Sequence, residues 1–508
     1  SKGFPMRCKG EEGQAIIVVA LAMSIFLIGG VGLAVDGAHL YAQRQMAQAA
    51  ADAAAQAGIM SIFDGTNTAS GNPAAFSTGG SFTCGTSDPR TPCSYATLNG
   101  FGSTSDTVSV AFPPGSAVPG VVLAPSYPIN LIQVTVQRSV PTTLMRLLGP
   151  AASTITATAY AAVVQVLAPV PILVTHPTLS GAFSINGTGL ITICGGPSKS
   201  IQVNSSDSQA AYPLKGNGAG NSTVDLSHAG PPDPGNCTTG TGASVGVWGG
   251  PTQPFYNYVF GSTGKYIPAA SWMQDPLRGV APPPVPASHA VPAVAINPGQ
   301  DGCPASPRKP CMLYSPGLYD SSNFPNGIDG KLTTVIFTPG IYYIEGGGVG
   351  CSALCDMYMA SGLTDTVTGT GWTSQMLIYN TGPASNPTAS GPISLGANGN
   401  ANLVGAPPSS QYLGMLVFED RNAAAQSHTI GGGGAVTLQG TIYLTNHRSI
   451  MLSNPLQYQS LALGGTSGSG TLIEGEIIVG ALQLGGTGSI QMNLNNNELE
   501  VQEVALVQ

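Results

Sequence analysis

Charge is scarce in this sequence. Asp, Glu, Lys and Arg together make up 8% of the residues, against roughly 25% in an ordinary soluble domain. A surface of hydroxyls and amides is wetted but does little to keep copies apart. That points away from a free cytosolic enzyme and toward an assembly or a cell surface. The formal net charge is -8 and no Lys/Arg-rich stretch occurs, so the basic footprint that a nucleic-acid partner requires is missing. The histidines, His39, His176, His228, His289, His428 and His447, are scattered without ligand spacing, and there is no phosphate loop or dinucleotide fingerprint. No metal, no cofactor and no catalytic residue are expected.

Two faint chemical signals remain. Gly242-Ala-Ser244-Val-Gly246 fits the nucleophile-elbow pattern, but no helix-forming sequence follows it, and it reads as a chance match. Glu419-Asp420-Arg421 sets two carboxylates side by side. Neighbours on a strand point to opposite faces, so the triplet reads as a salt bridge or corner hydrogen bonds and not as an acid/base pair.

Apolar residues are concentrated where charge is absent altogether. Ala15 to Val35 (AIIVVALAMSIFLIGGVGLAV) contains no charged residue and as a helix spans about 30 Å, the hydrocarbon thickness of a bilayer. A secretory signal peptide would have a shorter apolar core and a small-residue cleavage site, whereas Asp36-Gly37 follow here. Lys2, Arg7 and Lys9 precede the run, which places the N-terminus in the cytoplasm and the rest of the chain outside. From Asp36 to Ile62 the sequence is rich in Ala and Gln and lacks Pro, so the helix is expected to continue. A rod from Gln14 to Ile62 measures roughly 70 Å. Gly29, Gly30 and Gly32 permit close helix–helix approach, and Asp36, at the outer end of the run, fixes how deep the helix sits. Two readings are open: a plain anchor with an Ala-rich stalk, or a helix that bundles with copies of itself or with related subunits.

Of the nine cysteines, Cys8 precedes the apolar run and eight follow it, the even set expected of an oxidising compartment. Short loops would be closed by Cys84–Cys93, Cys303–Cys311 and Cys351–Cys355, leaving Cys194–Cys237, one of many connectivities that eight cysteines allow. The rival, zinc at Cys351 and Cys355, lacks a second Cys/His pair nearby.

Gly13-Gln14, the apolar run, Val35-Asp36-Gly37, Leu40-Tyr41, Arg44 and Gln48-Ala-Ala-Ala-Asp52-Ala-Ala-Ala together resemble the N-terminal module of TadG-like proteins of the bacterial tight-adherence (Flp) pilus systems. Gln56 departs from the pattern, in which Leu is usual. Processing after Gly10 would leave Glu11 and Glu12 first, whereas pilins usually carry a Glu at the fifth position. The resemblance implies a structural protein of the bacterial cell envelope or exterior. It also implies pilin-family subunits as partners of the helix, through Gly29, Gly30, Gly32, Asp36, Gln48 and Asp52.

Residues 63–106, rich in Gly, Ser, Thr and Asn, read as irregular. Thr107–Phe112, Ile129–Gln137 and Ser153–Gln165 read as strands, with a short amphipathic helix over Pro141–Leu148, and the resemblance extends to about residue 165. Beyond Val170, short apolar runs are broken by Gly, Asn or Pro every few residues. Pro316-Gly-Leu-Tyr319 and Pro339-Gly-Ile-Tyr342 repeat at a solenoid-like spacing. Gly414–Arg421 and Gly440–Asn446 are similar to the C-terminal halves of TadG-like proteins.

The expected fold class is therefore α+β: a long hydrophobic helix (1–62), a small pilin-like sheet (63–165), and a large all-β body. A parallel β-helix is the first choice for that body, with a β-sandwich or a set of small β-domains behind it, in parts 166–250 and 316–508 on either side of a Pro-rich linker (251–315). Three functions compete. The first is a component of a pilus-like filament, assembled through the helix. The second is a singly membrane-anchored surface protein with a partner or carbohydrate ligand that does not polymerise. The third is a glycan-acting β-helix enzyme, for which the chain is too poor in carboxylates.

Overall fold

The computed structural model describes residues 12–64, 66, 76–118, 123, 129–147, 150–167, 170–213, 222–350, 355–386, 388–396, 399–445, 458–465, 470–486, 489–494 and 500–507. The chain forms two compact units, Ser1–Gln165 with Gln502–Gln508, and Val166–Val501.

The first unit is built on one helix, α1 (Glu12–Phe63, 52 residues), roughly 78 Å long. Its second half carries a stripe of alanines, and Ala47, Ala50, Ala51, Ala54 and Ala55 are all fully buried. The small side chains let the helix lie close against the sheet, where Ile132, Val134 and Val136 face it. A Cβ on Gly58 would stand 2.6 Å from Ile132 Cδ1 and 3.3 Å from Pro92 Cβ, so any larger residue there requires the Ile132 side chain to move. The sheet runs β1 (Ser81–Thr83), β2 (Asp106–Ala111), β3 (Leu131–Pro141), β4 (Ala152–Leu167), and is completed by Glu500–Leu506, which returns from beyond the whole body. β1 to β4 pair antiparallel in sequence order.

Two local expectations fail here. Residues 63–106 are not wholly irregular, because they contain β1 and the helix α2 (Thr91–Leu98), which starts with Pro in its first turn and is tied by Cys84–Cys93. The amphipathic helix over Pro141–Leu148 does not form. β3 runs on through Pro141, and only Met145–Leu147 makes a single 3₁₀ turn, since the β3–β4 pairing extends to Pro141 opposite Ala152.

The second unit is a parallel β-solenoid with sheets of ten, eleven and five strands. Inward side chains of successive coils stack into one aliphatic and aromatic core. In the ten-stranded sheet the chain enters mid-stack at Ile172–Val174 and coils outward through Lys199–Val203 and Ser244–Val247 to Tyr266–Pro268. It then reappears at the opposite edge, Gly317–Tyr319, and coils back until Ile477 lies opposite Ile172. The other two sheets carry the same seam, with Ser489–Leu494 beside Leu190–Gly195 and Ala481–Gly486 beside Phe183–Gly187. The two expected parts of the solenoid are thus one stack. The 251–315 linker is not free of ladders either: Asn257–Val259 pairs parallel with Thr223–Asp225, Tyr266–Pro268 parallel with Ser244–Val247, and Val294–Ile296 antiparallel with Cys311–Tyr314.

Residues 269–293 must cross from one edge of the stack to the other, on the order of 45 Å at normal strand spacing. They do so as a strap along the outer face of the ten-stranded sheet. Tyr342 packs inward on Tyr319 and Phe337, so its neighbour Tyr343 points outward. Tyr343, Tyr379, Phe418 and Tyr443 then form an outward row in register, with ring centroids 5.0, 5.2 and 5.4 Å apart. All four are buried, because the strap covers the face. Asn204 Nδ2 donates to Met273 O (2.6 Å) and Arg421 Nη2 to Leu277 O (2.6 Å). Arg421 Nη1 donates to Val280 O (2.9 Å), and Ala290 N to Leu318 O (2.9 Å).

Candidate functional site: the projecting helix and its Asp36 seat

The first half of α1 is the feature that the fold itself leaves unsatisfied. Ile16, Leu21, Phe26, Val31 and Leu33 are 70, 61, 81, 56 and 63% exposed, and this is the one stretch among the described residues long and apolar enough to cross a membrane. The exposed run ends where the first unit takes hold of the helix, at Gly32 and Asp36.

Asp36 is buried and its carboxylate is fully engaged. Oδ1 accepts Thr143 N (2.9 Å) and Thr143 Oγ1 (2.5 Å), while Oδ2 accepts Leu144 N (2.9 Å) and Met145 N (2.6 Å). The β3–β4 turn presents the orphan N–H groups that begin its 3₁₀ turn, and the aspartate satisfies them as a cap contributed by a distant helix. One helical turn earlier, a Cβ on Gly32 would stand 2.9 Å from Leu144 Cβ. Gly32 therefore admits Leu144 of the chain's own turn. Farther along, Gln48 Nε2 bridges Asp52 Oδ1 (2.8 Å) and Thr158 O of β4 (3.3 Å). Of the residues expected to serve assembly, Gly32, Asp36, Gln48 and Asp52 thus seat the helix within its own unit. Gly29 and Gly30 lie on the projecting part, and a Cβ on Gly30 would meet nothing within 4 Å.

The same substitution at the two glycines is therefore expected to act oppositely. Gly32→Leu should unseat the turn, by about 1–3 kcal/mol, with loss of amide protection at Leu144 and Met145. Gly30→Leu should leave that protection unchanged and strengthen the helix by about 0.5–1 kcal/mol. Hydrogen exchange on the two variants checks this, and equal protection in both would refute the seating.

Residues 13–67 match a family model, Tad, described as putative Flp pilus-assembly TadE/G-like. Over these residues the helix is similar to a TadE/G-like segment. The match takes in the whole apolar projection, Gly32, Asp36 and the alanine stripe. No curated protein matches the chain, and no solved structure matches it. The TadE/G-like segment is joined to disulfide-bonded units, with bridges at Cys84–Cys93, Cys194–Cys237 and Cys303–Cys311. Cys355 is also disulfide-bonded, while Cys351 lies outside the described residues.

The weaker chemical signals resolve into structure. Ser244 sits on a solenoid strand, buried, and its Oγ accepts Lys265 N, so there is no strand-to-helix elbow. Cys84, Asp88 and Cys93 cluster tightly enough to hold an ion, but both sulfurs are in the disulfide and Asp88 is paired with Arg90. In Glu419-Asp420-Arg421 the two carboxylates do point apart. Glu419 faces the core, accepting Asn380 Nδ2 (2.7 Å) and Ser390 Oγ (2.9 Å), while Asp420 accepts Thr381 Oγ1 (2.7 Å). Arg421 makes no salt bridge within the triplet. It holds the strap, together with Tyr443 and Asp275, and sequence reasoning missed that set because its members lie 22 to 168 positions apart.

Proposed function

We propose that this chain is a component of a Flp-type pilus, held in the filament by its TadE/G-like helix with the β-solenoid displayed outside. The observation that carries the reading is the apolar projection before Gly32. A helix with its large side chains more than half exposed is driven out of water by the hydrophobic effect, so it is covered by lipid before assembly and by other helices after it. The positive residues Lys2, Arg7 and Lys9 favour a cytoplasmic N-terminus during membrane insertion. The helix partners are copies of the chain or pilin-family subunits, and Gly30 offers them an unoccupied notch. No catalytic step belongs to this reading.

A second reading, a singly anchored surface protein that does not polymerise, is favoured by the size of the body, Val166–Val501, relative to the helix unit. Immunoelectron microscopy of sheared surface material, labelled against 316–508, separates the two. Label along filaments, lost in Gly30→Leu while the body stays folded, supports the filament component. Label confined to the envelope, unchanged in Gly30→Leu, supports the anchor and sinks assembly through this helix.

A further inference from the structure

Beneath the strap lies a pocket of buried acid that the pilus reading does not use. Glu476, just before strand Ile477–Val479, is fully enclosed, and its Oε1 has no hydrogen-bond partner. On the strap over that sheet, Asp275 is also buried; its Oδ1 accepts Leu277 N (2.8 Å) and its Oδ2 accepts Tyr443 Oη (2.6 Å), and Tyr443 pairs with Ile478, two residues beyond Glu476 on the same face. The adjacent cation is Arg421, and its three hydrogen bonds go to Tyr443 Oη, Val280 O and Leu277 O, none to a carboxylate. Arg278 of the strap acts on Asp275 from farther off. The cation, its hydrogen bonds spent on neutral oxygens, thus stands by Asp275, whose carboxylate has donors, whereas Oε1 of the buried Glu476 has none.

The geometry points to a proton-held latch: Glu476 keeps the strap closed while it carries a proton, and its ionisation as pH rises frees residues 273–290 from the sheet. Burial is the main influence on Glu476, and Asp275 adds repulsion; both push its titration well above the usual carboxylate range. Burial also raises Asp275, against the opposing pull of Arg421. Opening the strap hydrates both groups and returns them to ordinary values. The closed state is therefore fully favoured below the solution value near 4.5 and is progressively lost above it. The proton leaves to solvent, and the exposed face carries the Tyr443 and Phe418 end of the aromatic row.

The test is hydrogen exchange with mass spectrometry on the full chain in detergent, at about pH 5.5 and about pH 8.5, corrected for intrinsic rates. In the wild type, opening of strap peptides should rise by about tenfold per pH unit within the window, beyond the smaller pH-dependent loss of protection that all coils of the solenoid share through global stability. Glu476→Gln should hold the strap closed at both values, and Glu419→Gln, which changes a carboxyl inside the core, should leave the strap's pH response as in the wild type. Equal strap protection at the two pH values in the wild type overturns the latch, whether or not any variant folds. So does a Glu476→Gln strap that still opens with pH.

Discussion

Arg421→Ala is expected to destabilise the β-body by about 3–5 kcal/mol, the range for removing one member of a buried charged network. Three donors disappear at once. Leu277 O and Val280 O are left facing a sheet without donors, on residues that are themselves buried. Asp275 loses the cation that offsets its burial, and the cation–π contacts with Phe418 and Tyr443, at 5.1 and 4.9 Å, go with it. Arg421→Lys should recover only part of the loss, because a compact ammonium cannot reach both carbonyls and the Tyr443 oxygen in one plane. The measurement is convenient. Trp248, Trp272 and Trp372 all lie in the second unit, and Trp272 is on the strap itself, so tryptophan fluorescence during denaturation follows the body alone. A loss below about 1 kcal/mol would show that the strap is held by its apolar contacts and not by this guanidinium.

The second large effect is a pH dependence with its origin inside the core. Glu419 is buried without a cation, and desolvation pushes its carboxyl up to about 8 from an ordinary value of 4.5, while Asn380 and Ser390 pull in the other direction. A raised acid stabilises the fold below its unfolded value and gives that stability up as pH climbs through the folded one. Between pH 4.5 and 8 this group alone therefore removes about 4 kcal/mol, at about 1.4 kcal/mol per unit. His428 works with the opposite sign: burial lowers it to about 4 from 6.5, so its contribution is present above pH 6.5 and lost as pH falls toward 4. From pH 4.5 to 6.5 the two slopes offset each other, and above 6.5 the Glu419 slope stands uncompensated by His428. Comparing Glu419→Gln with the wild type isolates the term. The variant should gain about 4 kcal/mol relative to the wild type on going from pH 4.5 to pH 8. Parallel curves for the two proteins would mean that Glu419 is ionised in the core throughout.

These two groups also show where reading the sequence stops. The helix was legible because an uncharged run and an Ala-rich continuation signal their structure residue by residue, and α1 (Glu12–Phe63) differs from the expected Gln14–Ile62 only at its ends. Short strands broken by glycine likewise signalled a solenoid. The Pro-Gly-Leu-Tyr and Pro-Gly-Ile-Tyr repeat does fall on adjacent strands, yet Gly317 pairs with Tyr342 and not with Gly340, so the repeat identified neighbours without giving their register. The order of the coils was not legible. Nothing local in Ile172–Val174 announces that its neighbour will be Ile477–Val479, and without that seam a Pro-rich stretch reads as a linker when it is a strap. His428 occupies a row whose other members are Leu461, Leu482 and Phe183. Its ring is accommodated by Gln459 and the Ile393 N–H, partners about a coil away in sequence. At the helix, Gly32 and Asp36 stand out in the sequence by residue type alone. Their neighbour is the chain's own Leu144 turn, which the sequence places more than a hundred residues later.

Glu500–Leu506 completes the sheet on which the helix rests, and this has a consequence for biogenesis. Translation delivers α1 first and that fifth strand only after every coil of the solenoid has been made. A chain interrupted anywhere in the body keeps its apolar helix but leaves β4 with a bare edge. Completion of the sheet beneath the helix is thus tied to synthesis through residue 506, so a truncation anywhere in the solenoid would be felt at the far end of the chain, in the platform that holds the helix.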